Sequence, residues 1–185
     1  MSRQNLTPTD DTYVTDNNPG PNSTSTTLIF GGLNDFLFCY LKFPITNIPT
    51  GATITSATFN IYVSVATPIN TNCQIKKLTS NWSGTTLTTS NLPTAAATIY
   101  ATLPSTTSTG WKSVDIINLV NEWFSGSSTN IGLQIQPISQ TISDGRFYSS
   151  KGVNVPYIAV DYTEPTTQST GFSRRIKKIR LDMGL

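Results

Sequence analysis

The chain has 185 residues, of which 37% are hydrophobic and 10% aromatic, enough for one domain with its own core. Charged residues make up only 12%, about half the usual share, and Ser, Thr and Asn fill the deficit. Histidine is absent, which excludes imidazole general-base catalysis and His-based metal sites, and the net charge of +2 is unevenly placed.

Residues 1–10 read as a polar arm. Asp11-Thr12-Tyr13-Val14 reads as a first strand, and 16–26, built of Asn, Pro, Gly, Ser and Thr, as a loop. A short strand over 27–30 stops at Gly31-Gly32. The strongest strand signal is 36–43, where Leu37, Cys39, Leu41 and Phe43 fall on one face and Phe36, Phe38, Tyr40 and Lys42 on the other. A sandwich strand normally has one wet face. Here both carry apolar groups, so Phe36, Phe38 and Tyr40 are expected to form an exposed interface.

After Pro44 and Pro49, a long strand with a bulge is expected over 53–65, then strands at 72–78 and 85–88, one near Ile99, and one at 111–114. The period then changes. Ile116, Leu119, Val120 and Trp123 recur at i, i+3, i+4, i+7, one apolar stripe of a helix over 115–125. Asp115 is placed to cap its start and Gly126 to end it. Strands resume at 131–135, 146–149 and 157–162, the last alternating Ile158, Val160 and Tyr162 with Tyr157, Ala159 and Asp161. Roughly eight or more short strands with one helix describe an all-β, jelly-roll-type β-sandwich over 11–163. A linker and basic tail occupy 164–185. Over 171–185, Arg174, Arg175, Lys177, Lys178 and Arg180 face one Asp182, a local charge of +4 that leaves −2 elsewhere.

The order of these pieces is specific: Asp11-Thr12-Tyr13-Val14; Tyr40-Leu41-Lys42-Phe43; the run from Ile48-Pro49-Thr50-Gly51-Ala52-Thr53-Ile54 to Phe59-Asn60-Ile61-Tyr62-Val63; Trp82; Val114-Asp115; Leu119-Val120-Asn121-Glu122-Trp123; Phe147-Tyr148-Ser149-Ser150; and Pro156-Tyr157-Ile158-Ala159-Val160. Over about residues 10–163 the series resembles the DNRLRE domain family, grouped with family 96 carbohydrate-binding modules. The resemblance implies a non-catalytic jelly-roll sandwich of secreted, surface or particle-borne proteins, some of which bind polysaccharide. The chain departs from the family pattern at Phe36 and Phe38, where polar residues are usual, at Pro44, at Thr89, where a second Trp is usual, and at Ser150-Lys151.

Several side chains remain as candidates for chemistry. Trp111, Tyr148 and Lys42 are assigned to carbohydrate binding, because aromatic faces suit the apolar faces of sugar rings. Trp82 and Trp123 are assigned to the core. Asp10, Asp11 and Asp16 are read as turn and capping carboxylates, with structural calcium as the alternative, since the spacing of a calcium loop is missing. No other cofactor is expected. Asp115 and Glu122 stand nearly two helical turns apart, which gives no convergent acid–base pair and no basis for an enzyme. Cys39 and Cys73 are read as buried thiols, a disulfide between them being the alternative.

In the tail, Phe172, Ile176 and Ile179 interleave with Arg174, Arg175, Lys177, Lys178 and Arg180, a pattern suited to docking on a protein partner. Five cations alone are a weak nucleic-acid footprint. Met1-Ser2-Arg3-Gln4-Asn5-Leu6-Thr7 has no apolar h-region, and no apolar run approaches the ~18 residues of a membrane span, so neither a secretion signal nor a membrane segment is expected. Together these features lead to the expectation of a structural or decorating subunit of a large assembly, a bacteriophage-type virion capsid or tail protein made in the cytoplasm and carried on the particle surface, with a role in adhesion. The alternative is a free-standing module that recognises a polysaccharide.

Overall fold

The computed structural model describes residues 1–16, 19–31, 37–138 and 144–165. Among these residues eleven strands form two antiparallel sheets, joined by one helix. The strands are β1 (Ser2–Leu6), β2 (Asp10–Val14), β3 (Thr27–Gly31), β4 (Phe38–Lys42), β5 (Thr53–Val65), β6 (Gln74–Leu78), β7 (Ala95–Thr102), β8 (Gly110–Asp115), β9 (Leu133–Gln136), β10 (Asp144–Tyr148) and β11 (Tyr157–Thr163); the helix α1 is Ile117–Ser125. One sheet runs β1-β11-β5-β10-β3, with β8 also paired to β5; the other runs β2-β4-β9-β6-β7.

The two-residue period of the strands builds the core. Phe59, Ile61 and Val63 of β5, Ile158 and Val160 of β11, and Phe147 of β10 meet Cys39 and Leu41 of β4, Ile75 of β6, and Leu133 and Ile135 of β9. Phe30 and Phe147 stack with centroids 4.0 Å apart, and Phe43 meets Phe59 edge-on at 5.9 Å. The stripe expected on the helix is buried as read: Ile116, Leu119, Val120 and Trp123 join this core. Each such side chain contributes roughly 1.5–3 kcal/mol on burial, which seats so short a helix. Asp115 still belongs to β8, opposite Thr58. Its carboxylate caps from one residue further out than expected, accepting the Ile117 amide at 2.8 Å. Gly126 ends the helix in the left-handed region at φ 75°.

Three expectations change. Residues 2–6 are no arm, because β1 pairs with β11 from Ser2 opposite Tyr162 to Leu6 opposite Ile158. Residues 85–88 form no strand. The Thr86 and Leu87 amides both donate to the Ser83 carbonyl, a turn that points Leu87 inward. The Phe38–Tyr40 side of β4 is not an open face. The segment between β6 and β7 roofs it, and Val14, Tyr40, Leu78, Trp82 and Leu87 form a second small core, with Phe38 packed against it. Tyr40 is wholly buried there, and burial pushes its phenol up to about 12. Cys39 and Cys73 are free, buried thiols, as read from the sequence.

The roof is held by polar ties as well as by packing. Trp82 Nε1 donates to the Ile131 carbonyl at 2.9 Å, and the Gly84 amide donates to Asp10 Oδ2 at 2.9 Å. Lys42 Nζ donates to the Trp82 carbonyl at 3.2 Å and sits 5.1 Å above the indole ring. The abundant threonines serve elsewhere as buried joints between loops: Thr67 and Thr106 share a 2.7 Å hydroxyl–hydroxyl bond, and the Thr71 hydroxyl meets Cys73 Sγ at 3.0 Å.

Candidate functional site

The side chains of β5 that do not face the core point out of the opposite face of the sheet: Thr58, Asn60, Tyr62 and Ser64. Register then decides what stands beside them. Trp111 of β8 lies directly opposite Tyr62, and Tyr157 of β11 directly opposite Asn60. Tyr148, at the end of β10, comes alongside. Four aromatic rings thus form one row: Tyr148 to Tyr62 at 5.6 Å, Tyr62 to Trp111 at 5.5 Å, and Trp111 to Tyr157 at 5.5 Å. Trp111 meets both of its tyrosine neighbours nearly at right angles, the edge-to-face geometry that aromatic quadrupoles favour. It is the most accessible member at 45% exposure, while the three tyrosines are half-buried supports.

Beside Tyr157 the same face sinks into a polar hollow of about 240 Å³, lined by Arg3, Asn5, Thr58, Asn60, Tyr157 and Ala159. The Asn60 amide nitrogen donates to the Thr58 carbonyl at 2.9 Å, and its oxygen accepts from the Ser113 hydroxyl at 2.7 Å, so the group is held in one orientation. Arg3 grips Asp161 with two bonds of 2.7 Å. Those bonds hold the Asp161 carboxyl below its ordinary range and raise the Arg3 guanidinium. The hollow is polar but close to neutral.

Two members of the row, Tyr148 and Tyr157, flank a single loop, and that loop is tied down from the other sheet. The Asp11 side chain of β2 is wholly buried. It accepts from the Ser150 amide, from the Ser150 hydroxyl at 2.7 Å and from Lys151 Nζ. The Ser149 hydroxyl donates to the Ser25 carbonyl at 2.6 Å. Gly152 lies so close to Tyr148 that a Cβ there would stand 2.7 Å from the ring, which is why only hydrogen is accommodated.

The structure therefore brings Trp111 and Tyr148 into one face but not Lys42, which belongs to the opposite sheet and is engaged with Trp82. Of the expected partner interface, Tyr40 is buried and Phe38 is packed under the roof; Phe36, Phe172, Arg174, Arg175, Ile176, Lys177, Lys178, Ile179 and Arg180 lie outside the described residues. Asp10 and Asp11 hold backbone amides and Lys151, as capping carboxylates do. Among the described residues no group of three or more His, Cys, Asp or Glu side chains is placed to hold a metal. Asp115 caps α1, while Glu122 binds Lys77 and Tyr100.

Tyr62, Tyr157, Arg3 and Asn5 were not singled out from the sequence. The signal was there for the first two, since both occupy outward positions of strongly alternating strands. No helix among the described residues is long and apolar enough to cross a membrane.

No curated protein gives a significant match to this chain. A family model described as carbohydrate-binding module family 96 matches residues 2–162, from β1 to β11 and so across both sheets and the whole aromatic row. With most of its length covered by that match, the chain belongs to carbohydrate-binding module family 96.

Proposed function

We propose that this domain binds a polysaccharide across the outer face of the β1-β11-β5-β10-β3 sheet, with the ligand lying along Tyr148, Tyr62, Trp111 and Tyr157. The observation that carries the reading is the unbroken aromatic row with Trp111 at 45% exposure. Membership of a carbohydrate-binding family supports the ligand class. Half-buried tyrosines support the indole, so little side-chain freedom is lost on binding. The apolar face of a sugar ring packs on the indole, and Asn60, Asn5 and Thr58 offer amide and hydroxyl groups to the sugar hydroxyls. An extended row suits a chain better than a single sugar. The near-neutral hollow, with Arg3 already engaged by Asp161, favours an uncharged polysaccharide.

The expectation of a virion subunit drew one of its several supports from an exposed Phe36–Tyr40 face, and within that face Phe38 and Tyr40 are covered. The test is electrophoresis of the full chain through gels containing soluble neutral polysaccharides, with pull-down on insoluble ones. Trp111→Ala is expected to weaken retention about 30-fold, the ~2 kcal/mol of a central aromatic anchor. Equal retention of the variant and the parent chain, or retention of neither, refutes the proposal.

A further inference from the structure

A second hollow, larger than the one beside Tyr157, lies away from the aromatic row. Its volume is about 650 Å³, and it opens between β7, the edge of the second sheet, and α1. The helix residues that line it include Asn118, Asn121, Glu122 and Ser125, spaced i, i+3, i+4, i+7. This is a second stripe, polar where the stripe of Ile116, Leu119, Val120 and Trp123 is apolar. A polar helix face usually meets bulk water. Here it faces Ile99 and Tyr100 of β7 across a concavity, with Ile99 left 48% exposed.

Glu122, one of the lining residues, is held by two partners. Tyr100 donates its hydroxyl to both carboxylate oxygens, at 2.9 and 2.8 Å, and Lys77 Nζ donates to Oε2 at 2.6 Å. The bonds from Lys77 and then Tyr100 hold the carboxyl below its ordinary range, so it is an acceptor at neutral pH with lone pairs to spare. Lys77 offsets its charge. The lining thus combines fixed acceptors, amides that donate and accept, and the apolar side chains of Ile99, Tyr100 and Phe124, and its one charge, Glu122, is paired with Lys77.

We propose that this hollow is a second saccharide site, independent of the aromatic row, which takes one or a few neutral sugar units with vicinal hydroxyls directed at Glu122, Asn118 and Asn121 and a C–H face against Tyr100 and Ile99. The ligand class matches that of the proposed function, but the surface shares no residue with it, so the domain would hold polysaccharide at two places and gain by avidity.

The test uses the full chain, its backbone amides followed by NMR during titration with three neutral tetrasaccharides (β-1,4-linked glucose, mannose and xylose) and with a tetra-uronate. At least one neutral tetramer is expected to shift the amides of Asn118, Asn121 and Glu122. Glu122→Gln and, as a second variant outside the ion pair, Asn121→Ala should each weaken that binding at least five-fold. Trp111→Ala should leave it within two-fold. Shifts confined to the Tyr62–Tyr157 face overturn this second site while leaving the aromatic-row reading standing. Shifts at α1 only, unchanged by Trp111→Ala, support the second site and count against the row. Absence of any shift at α1 with all four sugars, a response to the uronate alone, or α1 shifts that neither variant weakens, overturns the proposal.

Discussion

Removing the Asp11 carboxylate should loosen the loop that carries two of the four aromatic residues. Asp11 is wholly buried and accepts three bonds from residues 150 and 151. A hydrogen bond to a charged group contributes about 1.5–3 kcal/mol, and a donor left without a partner costs about 1–3 kcal/mol. The Lys151 side chain is 40% exposed and rehydrates once released, so its share is below ~1 kcal/mol. The Ser150 amide and hydroxyl therefore dominate, and Asp11→Ala should destabilise the fold by about 3 kcal/mol, or ~6–12 °C in Tm for a chain of this size. Asp11→Asn keeps one acceptor for the Ser150 amide and should lose about half of that. Lys151→Met should lose less than ~1 kcal/mol. Urea unfolding of the three variants gives the comparison. If Lys151→Met matches Asp11→Ala, the ion pair rather than the backbone tether holds the loop, and the reasoning fails. A functional consequence follows: at temperatures where Asp11→Ala remains folded, its retention by polysaccharide gels should fall, because Tyr148 and Tyr157 border the freed loop.

Trp82→Ala removes the centre of the second core and the bond to the Ile131 carbonyl, and should cost about 3–5 kcal/mol in urea unfolding while leaving polysaccharide retention unchanged below its Tm, because it lies on the other sheet; loss of retention in the folded variant would break the assignment of function to the row. The carboxyl of Glu122 is lowered in the folded state by Lys77 and Tyr100, so its stabilisation is present above the ordinary value of 4.5 and disappears as pH falls through the lowered one. The side chain is 36% exposed, so the effect is below ~1 kcal/mol, and Glu122→Gln should flatten that part of the acid limb in pH-dependent melting. Cys39 and Cys73 are buried, with both thiols raised by burial, Cys73 to about 12. Neither should react with a thiol reagent until the fold opens, and one fast-reacting equivalent in the native protein would contradict their placement.

What could be read without coordinates was whatever a single strand or helix states about itself. The alternation of Ile158, Val160 and Tyr162 and the stripe of Ile116, Leu119, Val120 and Trp123 each announce a buried face, and both are buried as expected. Ser2–Leu6 announced nothing, since Leu6 is its one buried residue and β11 captures it through backbone pairing and the Arg3–Asp161 pair. The two-faced strand β4 was misread for a related reason: its second apolar face is covered by a segment forty residues away, whose Thr-rich composition looks like ordinary loop.

The aromatic face shows the same division between local and non-local information. Trp111 was conspicuous because it follows a glycine and is one of three tryptophans. Its meaning depended on Tyr62 and Tyr157, which become its neighbours only through the registers of β5 with β8 and with β11. Lys42, chosen with Trp111 and Tyr148, failed because nothing in a sequence tells which of two sheets a strand joins. A binding face made from side chains of four strands is a property of strand order. That is why substitutions in the supporting loop, such as Asp11→Ala, should reach the ligand without touching it, while a heavier lesion at Trp82 should not.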